Sequence, residues 1–381
     1  MRREAYARRS AMRAAKIACA VLLVSGAAFA TGAEALTTPV PAHFEPGSVS
    51  FSSTSQGFVL GASPCTTEPC AAALVTTANG SKNWAATLAP PAPFASASSA
   101  SSSSVSKVLF ANANEGWVYG PTLWATYNGA QNWAKVKLGG PVYLLVTSAE
   151  EVYAVVGNCS PSAHNCPTPT LRLERAAVGS TTWQTVPGVS GYGTTAVLTA
   201  KSANAWVAFA PKGAGAVMIW RSSNSGSTWQ RLPNPCYEPS QATDLAGMAS
   251  PRGDLVFELC AGNPGAGQEG KSLWASSNGG ASGRVVSQLP LGGLALDIAA
   301  PTSSDILVTA VSGASFVYRS TNGGSTWATH TFADGGAGFY DFAFATPSFG
   351  ATVEGSSADG PNGARLLETS DGGATWSPVH I

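Results

Sequence analysis

Charge is what this 381-residue sequence has least of. Lys, Arg, Asp and Glu make up 11% of it, the two signs balance, and there are only four His and four Met. Beyond the first sixteen residues no basic cluster occurs, which excludes a nucleic-acid groove or an anionic membrane surface as partner. There is no CxxC pair, and the histidines are scattered, so a structural zinc site is disfavoured. No Ser-His-Asp or Cys-His arrangement stands out. No apolar run reaches the roughly 20 residues of a membrane helix. Low charge with 42 Gly and 25 Pro would fit disorder, but 11 Trp, 14 Phe and 9 Tyr spread along the chain call for a packed core of many short strands.

The N-terminus is the exception to the shortage of charge. Arg2, Arg3, Arg8, Arg9, Arg13 and Lys16 precede an apolar run from Ile17 to Ala30 that ends in Ala28-Phe29-Ala30, with Ala33-Glu34-Ala35 after it. A basic segment, a short apolar segment and A-x-A sites predict a signal peptide over 1–35 and a secreted or extracytoplasmic mature domain over 36–381. An uncleaved anchor is the other reading of the run. Cleavage leaves no membrane span. Cys19 lies in the leader without a lipobox. The remaining six cysteines form an even set, as expected of disulfides in an exported protein. Several connectivities are open, and proximity favours Cys65–Cys70, Cys159–Cys166 and Cys236–Cys260.

Self-comparison gives the organisation. Ser320-Thr321-Asn322-Gly323-Gly324-Ser325-Thr326-Trp327 recurs as Thr369-Ser370-Asp371-Gly372-Gly373-Ala374-Thr375-Trp376 and as Ser222 to Trp229. Weaker copies end at Trp84 and Trp133, and two degenerate ones run from Ala176 to Trp183 and from Ser276 to Gly283. These seven ends lie 44 to 54 residues apart. Each box follows a short apolar strand, two strand-like runs stand upstream in most units, and one more follows the Trp. Four strands in such a period predict one blade of an all-β, seven-bladed β-propeller of antiparallel blades.

The units resemble the Asp-box (BNR) repeat, S/T-x-D-x-G-x-T-W, of sialidases, sortilin-type receptors and photosystem II assembly-factor-like propellers. The resemblance covers nearly all of the mature chain, and its spacing is nearer the assembly-factor-like and sortilin groups than any enzyme. One departure is systematic: Asn79, Asn128, Asn224, Asn278 and Asn322 stand where the pattern has Asp, and only Asp371 keeps it. The box is expected to be a structural turn. Its Asn or Asp would bind backbone amides two residues on, the Gly would take a positive φ, and Trp84, Trp133, Trp229, Trp327 and Trp376 would each wedge against their own blade.

Boxes are turns between third and fourth strands and define the bottom face. The cysteines are expected on the top face, Cys236 in a crossover and the other five in loops after second strands. A Ser/Ala stretch from Ala95 to Ser104 is expected as a mobile crossover there. Aligning first strands puts Asp244, Asp297 and Asp341 in one column, with Ser48, Lys107, Tyr143 and Ala196 in the other blades. Three carboxylates converging at the channel mouth, across from Lys107 and Tyr143, would attract a divalent cation or a cationic ligand. A ring of solvated strand starts is the plainer reading.

The sialidase resemblance implies an arginine cluster, a Tyr-Glu pair and an Arg-Ile-Pro signature. Nothing of that kind precedes Thr77, and Arg231-Leu232-Pro233 follows a box instead. The expectation is a monomeric, non-catalytic propeller without cofactor that holds an extracellular protein or peptide on its top face. The alternative is a carbohydrate-active protein, a sialidase-like glycoside hydrolase or a glycan-binding lectin. With the chain ending just past the seventh box, residues 37–47 are expected to pair beside the last blade, and no C-terminal anchor is expected.

Overall fold

The computed structural model describes residues 38–381, except 64, 66–68, 96–100, 161–165, 167–168, 211–216, 238–243 and 356–362. The leader and its cleavage site lie outside that range. The described residues form twenty-eight strands in seven four-stranded antiparallel sheets. Each sheet takes four consecutive strands, β1 (Glu45–Phe51) to β4 (Ala85–Thr87) in the first and β25 (Phe339–Phe344) to β28 (Ser377–Val379) in the last. The architecture is a seven-bladed β-propeller.

The seven first strands make a ring: β1, β5 (Lys107–Phe110), β9 (Val142–Thr147), β13 (Thr195–Lys201), β17 (Asp244–Arg252), β21 (Leu294–Ala299) and β25, which meets β1 again. Their alternating side chains, with those of the second strands, fill apolar clusters between adjacent blades, for example Trp206, Ile219, Met248 and Val256 between the fourth and fifth. Burial of this kind, at roughly 25 cal/mol per Å², is what holds blade to blade.

The box geometry explains why Asn replaces Asp so freely. Each first-position hydroxyl donates to the Asn or Asp Oδ1, from Thr77 to Asn79 at 3.1 Å through Ser320 to Asn322 at 2.9 Å to Thr369 and Asp371 at 2.8 Å. The same hydroxyl accepts the amide four residues on, as from Gly324 at 2.8 Å. Oδ1 in turn accepts an amide four residues on, not two, as from Thr326 at 3.0 Å and Thr375 at 2.9 Å. An amide oxygen serves as well as a carboxylate for that purpose. The box also donates across its own blade to the first turn: Gly279 N to Asp254 O at 2.7 Å, Gly323 N to Ser304 O at 2.9 Å. Both turns therefore share the bottom face.

The second box glycine sits against the preceding blade. A Cβ on Gly324 would lie 2.2 Å from Leu273 Cδ2, and its φ is +86°. The box Trp packs on its own blade, as Trp84 does on Phe51, Trp133 on Phe110 and Trp376 on Phe344, and it also reaches the same seam. Trp133 Nε1 donates to Leu88 O of the first blade at 2.7 Å, Trp327 Nε1 to Ser287 Oγ of the fifth at 2.9 Å, and Trp229 meets Tyr153 of the third edge-on. The box is thus an inter-blade joint.

Closure differs from the expectation. Thr38 O accepts the amide of Ala86 at 2.9 Å, so the N-terminal segment pairs along the outer strand of the first blade, not beside the last. Its Val40 and Phe44 do enter the apolar cluster shared with Val353, Leu366, Val379 and Ile381. Among the described residues no strand is exchanged between first and last blades. Side chains join them instead: Phe51 meets Phe349 at 5.0 Å, and Asp341 Oδ2 accepts the amide of Val49 at 3.2 Å. Of the stretch expected to be mobile, 96–100 lie outside the described residues, and Ser101 to Ser104 form a hydrogen-bonded turn with Ser104 buried.

Three disulfides join Cys65 to Cys70, Cys159 to Cys166 and Cys236 to Cys260, with Cα separations of 5.5, 6.3 and 5.2 Å. Cys260 belongs to β18 (Leu255–Ala261), at its top end, and is not in the loop that follows. No helix of the described residues is long and apolar enough to cross a membrane.

Candidate functional site

First strands descend from the top face, and several bulge near their upper ends. Register shifts mark Pro46/Ser48, Val142/Leu144, Leu245/Gly247, Ala295/Asp297 and Tyr340/Ala343. A bulge inserts a residue and re-aims its neighbours. The ladder therefore corrects the sequence alignment. The residues opposite equivalent second-strand positions are Ser48, Lys107, Leu144, Val197, Gly247, Asp297 and Tyr340, with Asp341 in the bulge just after.

Asp244 accordingly drops out of the column. It pairs with Ala261, three residues above Gly247, and only burial raises its pKa, with no charged neighbour contributing. Tyr143 drops out too. Its ring packs over Gly157 and its hydroxyl donates to Cys159 O at 3.0 Å, so it braces the disulfide loop of the third blade.

Asp297, Asp341 and Lys107 do come together. Lys107 Nζ lies 2.6 Å from Asp341 Oδ1 and 5.8 Å from the centroid of the Tyr340 ring. Asp341 adopts φ +54°, a left-handed conformation that Asp tolerates better than most residues. There it ties the seventh blade to the amide of Val49 and to Lys107 of the second. Asp297 Oδ1 accepts the amide of Ile298 at 2.7 Å. Burial pushes Asp297 up to about 7, the Ile298 amide and Lys107 oppose the rise, and the Asp341 carboxylate adds to it. With Asp341 already held by an ammonium, the expected divalent-cation site is not assembled. No group of three His, Cys, Asp or Glu side chains is placed to hold a metal among the described residues.

The same face carries exposed apolar side chains that sequence reasoning missed. The exposed large apolar side chains are Leu88, Tyr192, Tyr237, Val285, Leu291, Leu296 and Tyr340. Five of them are on the top face. Tyr192 ends a fourth strand, Tyr237 and Leu291 lie in crossovers, and Leu296 and Tyr340 stand at the upper ends of β21 and β25. A Cβ on Gly338 would lie 3.4 Å from Leu296 Cδ1 and 3.8 Å from the Tyr340 hydroxyl, so those two are neighbours. No repeat pattern marks them, because none belongs to a box.

One more unforeseen group shapes this face. Lys271, at the start of β19 (Lys271–Ser276), is buried to 1%. Its Nζ donates to the carbonyls of Glu269 at 2.9 Å, Leu291 and Gly292 at 3.1 Å, and Gly293 at 2.7 Å, and sits 5.7 Å from the Tyr318 ring centroid. Glu269 Oε2 accepts the amide of Ala295 at 2.7 Å. The pair fixes the crossover that carries Leu291 and delivers Leu296 and Asp297. A signal was present in the sequence: five residues before each box the other blades have Ala72, Pro121, Leu171, Val217, Ser315 and Ala364, and only here a charge.

An arginine-lined sugar site is absent from the described ring. Arg172, Arg175, Arg221, Arg319 and Arg365 are all on third strands and ion-paired there. Of the first-strand cations, Lys201 and Arg252 lie at the bottom ends, and Lys107 alone is at the mouth. Leu232 of the Arg-Leu-Pro stretch is buried between the fourth and fifth blades.

No family of known proteins matches the sequence, and no individually curated protein does. Solved propellers do match in fold. YCF48 from Cyanidioschyzon merolae aligns with a TM-score of 0.56 at 16% identity over 89% of this chain and 99% of its own. A YCF48 bound to D1 peptide aligns at 0.53 and 17% identity, covering 88% and 95%. An ulvan lyase of polysaccharide lyase family 25 aligns at 0.55 and 10% identity, covering 88% and 93%. At these identities the likeness is one of fold.

Proposed function

We propose that this chain is an exported, non-catalytic Asp-box propeller that binds a protein or peptide segment across its top face. The observation that carries the reading is the exposure of Tyr192, Tyr237, Leu291, Leu296 and Tyr340 on one face, the face whose mouth holds the Lys107–Asp341 pair. Apolar side chains on a face that also carries polar groups suit a protein surface or an extended segment. On the bottom face the box hydroxyls and amide oxygens are committed to the box turns. A propeller of the same fold that is described as bound to a peptide supports the reading. Export is supported by the basic and apolar leader and by three disulfides, which persist in oxidising compartments.

The test is an array of diverse twelve-residue peptides probed with the mature domain and with Tyr340→Ala combined with Leu291→Ser. Binders that lose at least about tenfold affinity in the double variant, at unchanged melting temperature, support the reading. A glycan array run beside it carries the second reading, which Asp297 favours: a carboxyl group poised near neutrality beside a second carboxyl group, here Asp341, is the pairing a glycosidase uses. Glycan binding or turnover abolished by Asp297→Asn, with no peptide binder, would put the carbohydrate reading first.

A further inference from the structure

We infer that the channel mouth seats a cationic side chain, a lysine or arginine of the bound segment, with Asp297 as its counter-ion and Leu296 and Tyr340 as its walls. The inference rests on the top-face binding reading and specifies its central contact.

The charge count at the mouth is uneven. Two carboxylates, Asp297 and Asp341, face one ammonium, and Lys107 makes its contact with Asp341. Asp297 uses Oδ1 for the Ile298 amide, and its Oδ2 receives no hydrogen bond from the described residues. The mouth therefore offers one carboxylate oxygen in a mostly buried setting where a lone anion is costly. An incoming cation removes that cost.

The surroundings fit the rest of such a side chain. Leu296 and Tyr340 meet over Gly338 and present an aliphatic and an aromatic wall. Lysine and arginine cover apolar surface with their stems while the charged head reaches a polar point. Tyr340 already has one cation beside its ring, Lys107, so its face lies in a position that cations occupy. A backbone amide or hydroxyl could also reach Oδ2, but neither would balance the charge.

Binding then releases a proton. The groups facing Asp297 are Asp341 from β25 and Lys107 from β5, while β17 presents the uncharged Gly247 and Tyr119 lies behind Asp341. With Asp297 held up to about 7 when free, a cation binds the ionised form. Affinity is full above that value and falls as the pH drops below it.

The test takes the strongest peptide binders from the array and replaces each basic residue, one at a time, with norleucine. One replacement should weaken binding to the wild type at least about tenfold, and the same replacement should cost Asp297→Asn less than about twofold. Asn keeps an acceptor for the Ile298 amide, so the variant should melt no lower than the wild type. Lowering the pH from 8 to 6 should weaken the wild-type complex and leave the variant's affinity flat. Peptides that bind but are indifferent to every replacement overturn this inference and leave the binding reading standing. A basic residue that matters equally in Asp297→Asn does the same. Failure to find any binder overturns both.

Discussion

The two faces of the propeller are built on opposite rules. On the bottom, one hydrogen-bond pattern is repeated from blade to blade, each box hydroxyl and amide oxygen satisfied within eight residues of chain and each Trp tucked into a seam. On the top no single pattern runs through all seven blades. Three disulfides join loops of different lengths, a lysine sits in a cage of carbonyls in one blade alone, and the first strands bulge in some blades and not in others. Repetition belongs to the joints that every blade needs. The unrepeated features are where a particular blade departs from the pattern, and they lie on one face. The difference teaches that, in a repeat fold, the column entry that breaks the type of its equivalents is a better pointer to function than the motif itself.

The comparison is broken most severely at Lys271. Lys271→Met should cost about 3–5 kcal/mol, because the Glu269 and Gly293 carbonyls lose the ammonium and the Glu269 carboxylate loses its buried counter-charge, while the Leu291 carbonyl keeps the Glu269 amide and that of Gly292 the Tyr318 hydroxyl. Urea unfolding of the variant beside the wild type measures it, and an unchanged midpoint would show the cage to be dispensable.

Glu258 sharpens the comparison from the other side. It stands in a second-strand position that is Val59, Val118, Ala154, Val207, Val308 and Thr352 in the other blades, with Oε2 buried and unpartnered. Burial pushes its carboxyl up to about 8. Because the folded value is raised above the ordinary one near 4.5, the unfolded chain gives up its proton first as pH rises. Stability is full below about 4.5 and declines up to about 8. Glu258→Val should gain about 1–3 kcal/mol at neutral pH, and Glu258→Gln should flatten the profile. A melting temperature series from pH 4 to 9 checks both.

The smallest effects belong to the repeated face. Asn322→Ala removes the acceptor for the Thr326 amide and should cost about 1 kcal/mol. Asn322→Asp keeps that acceptor and should stay within about 0.5 kcal/mol, which thermal melts of the pair would show. A loss on Asn322→Asp as large as on Asn322→Ala would mean that the amide nitrogen, which donates to Thr326 Oγ1 at 2.9 Å, is the group the turn depends on.

Much of this was legible beforehand. Box spacing counted the blades, and the apolar runs placed the strands. The box turns were recognised as structural and the Trp as packing on its own blade, although the amide they bind lies four residues on, and the Trp reaches the neighbouring blade as well. Cysteine proximity suggested the pairs that the structure joins. The candidate site was legible only in part: Asp297, Asp341 and Lys107 meet, but Asp244 and Tyr143 do not. A bulge changes register without changing composition, so an alignment of first strands has no means of registering it.

The sequence by itself determined what is local and repeated. A box of eight residues closes its own hydrogen bonds, and its recurrence every 44 to 54 residues leaves little choice but seven blades. Only the tertiary structure decided what depends on residues far apart in the chain. Asp341 reaches Val49 and Lys107 across separations of 292 and 234 residues. Leu296 and Tyr340 meet at the mouth because the ring of first strands brings them there. Contacts of that range are fixed by how the blades stack and where their strands bulge, and neither is written in the repeat.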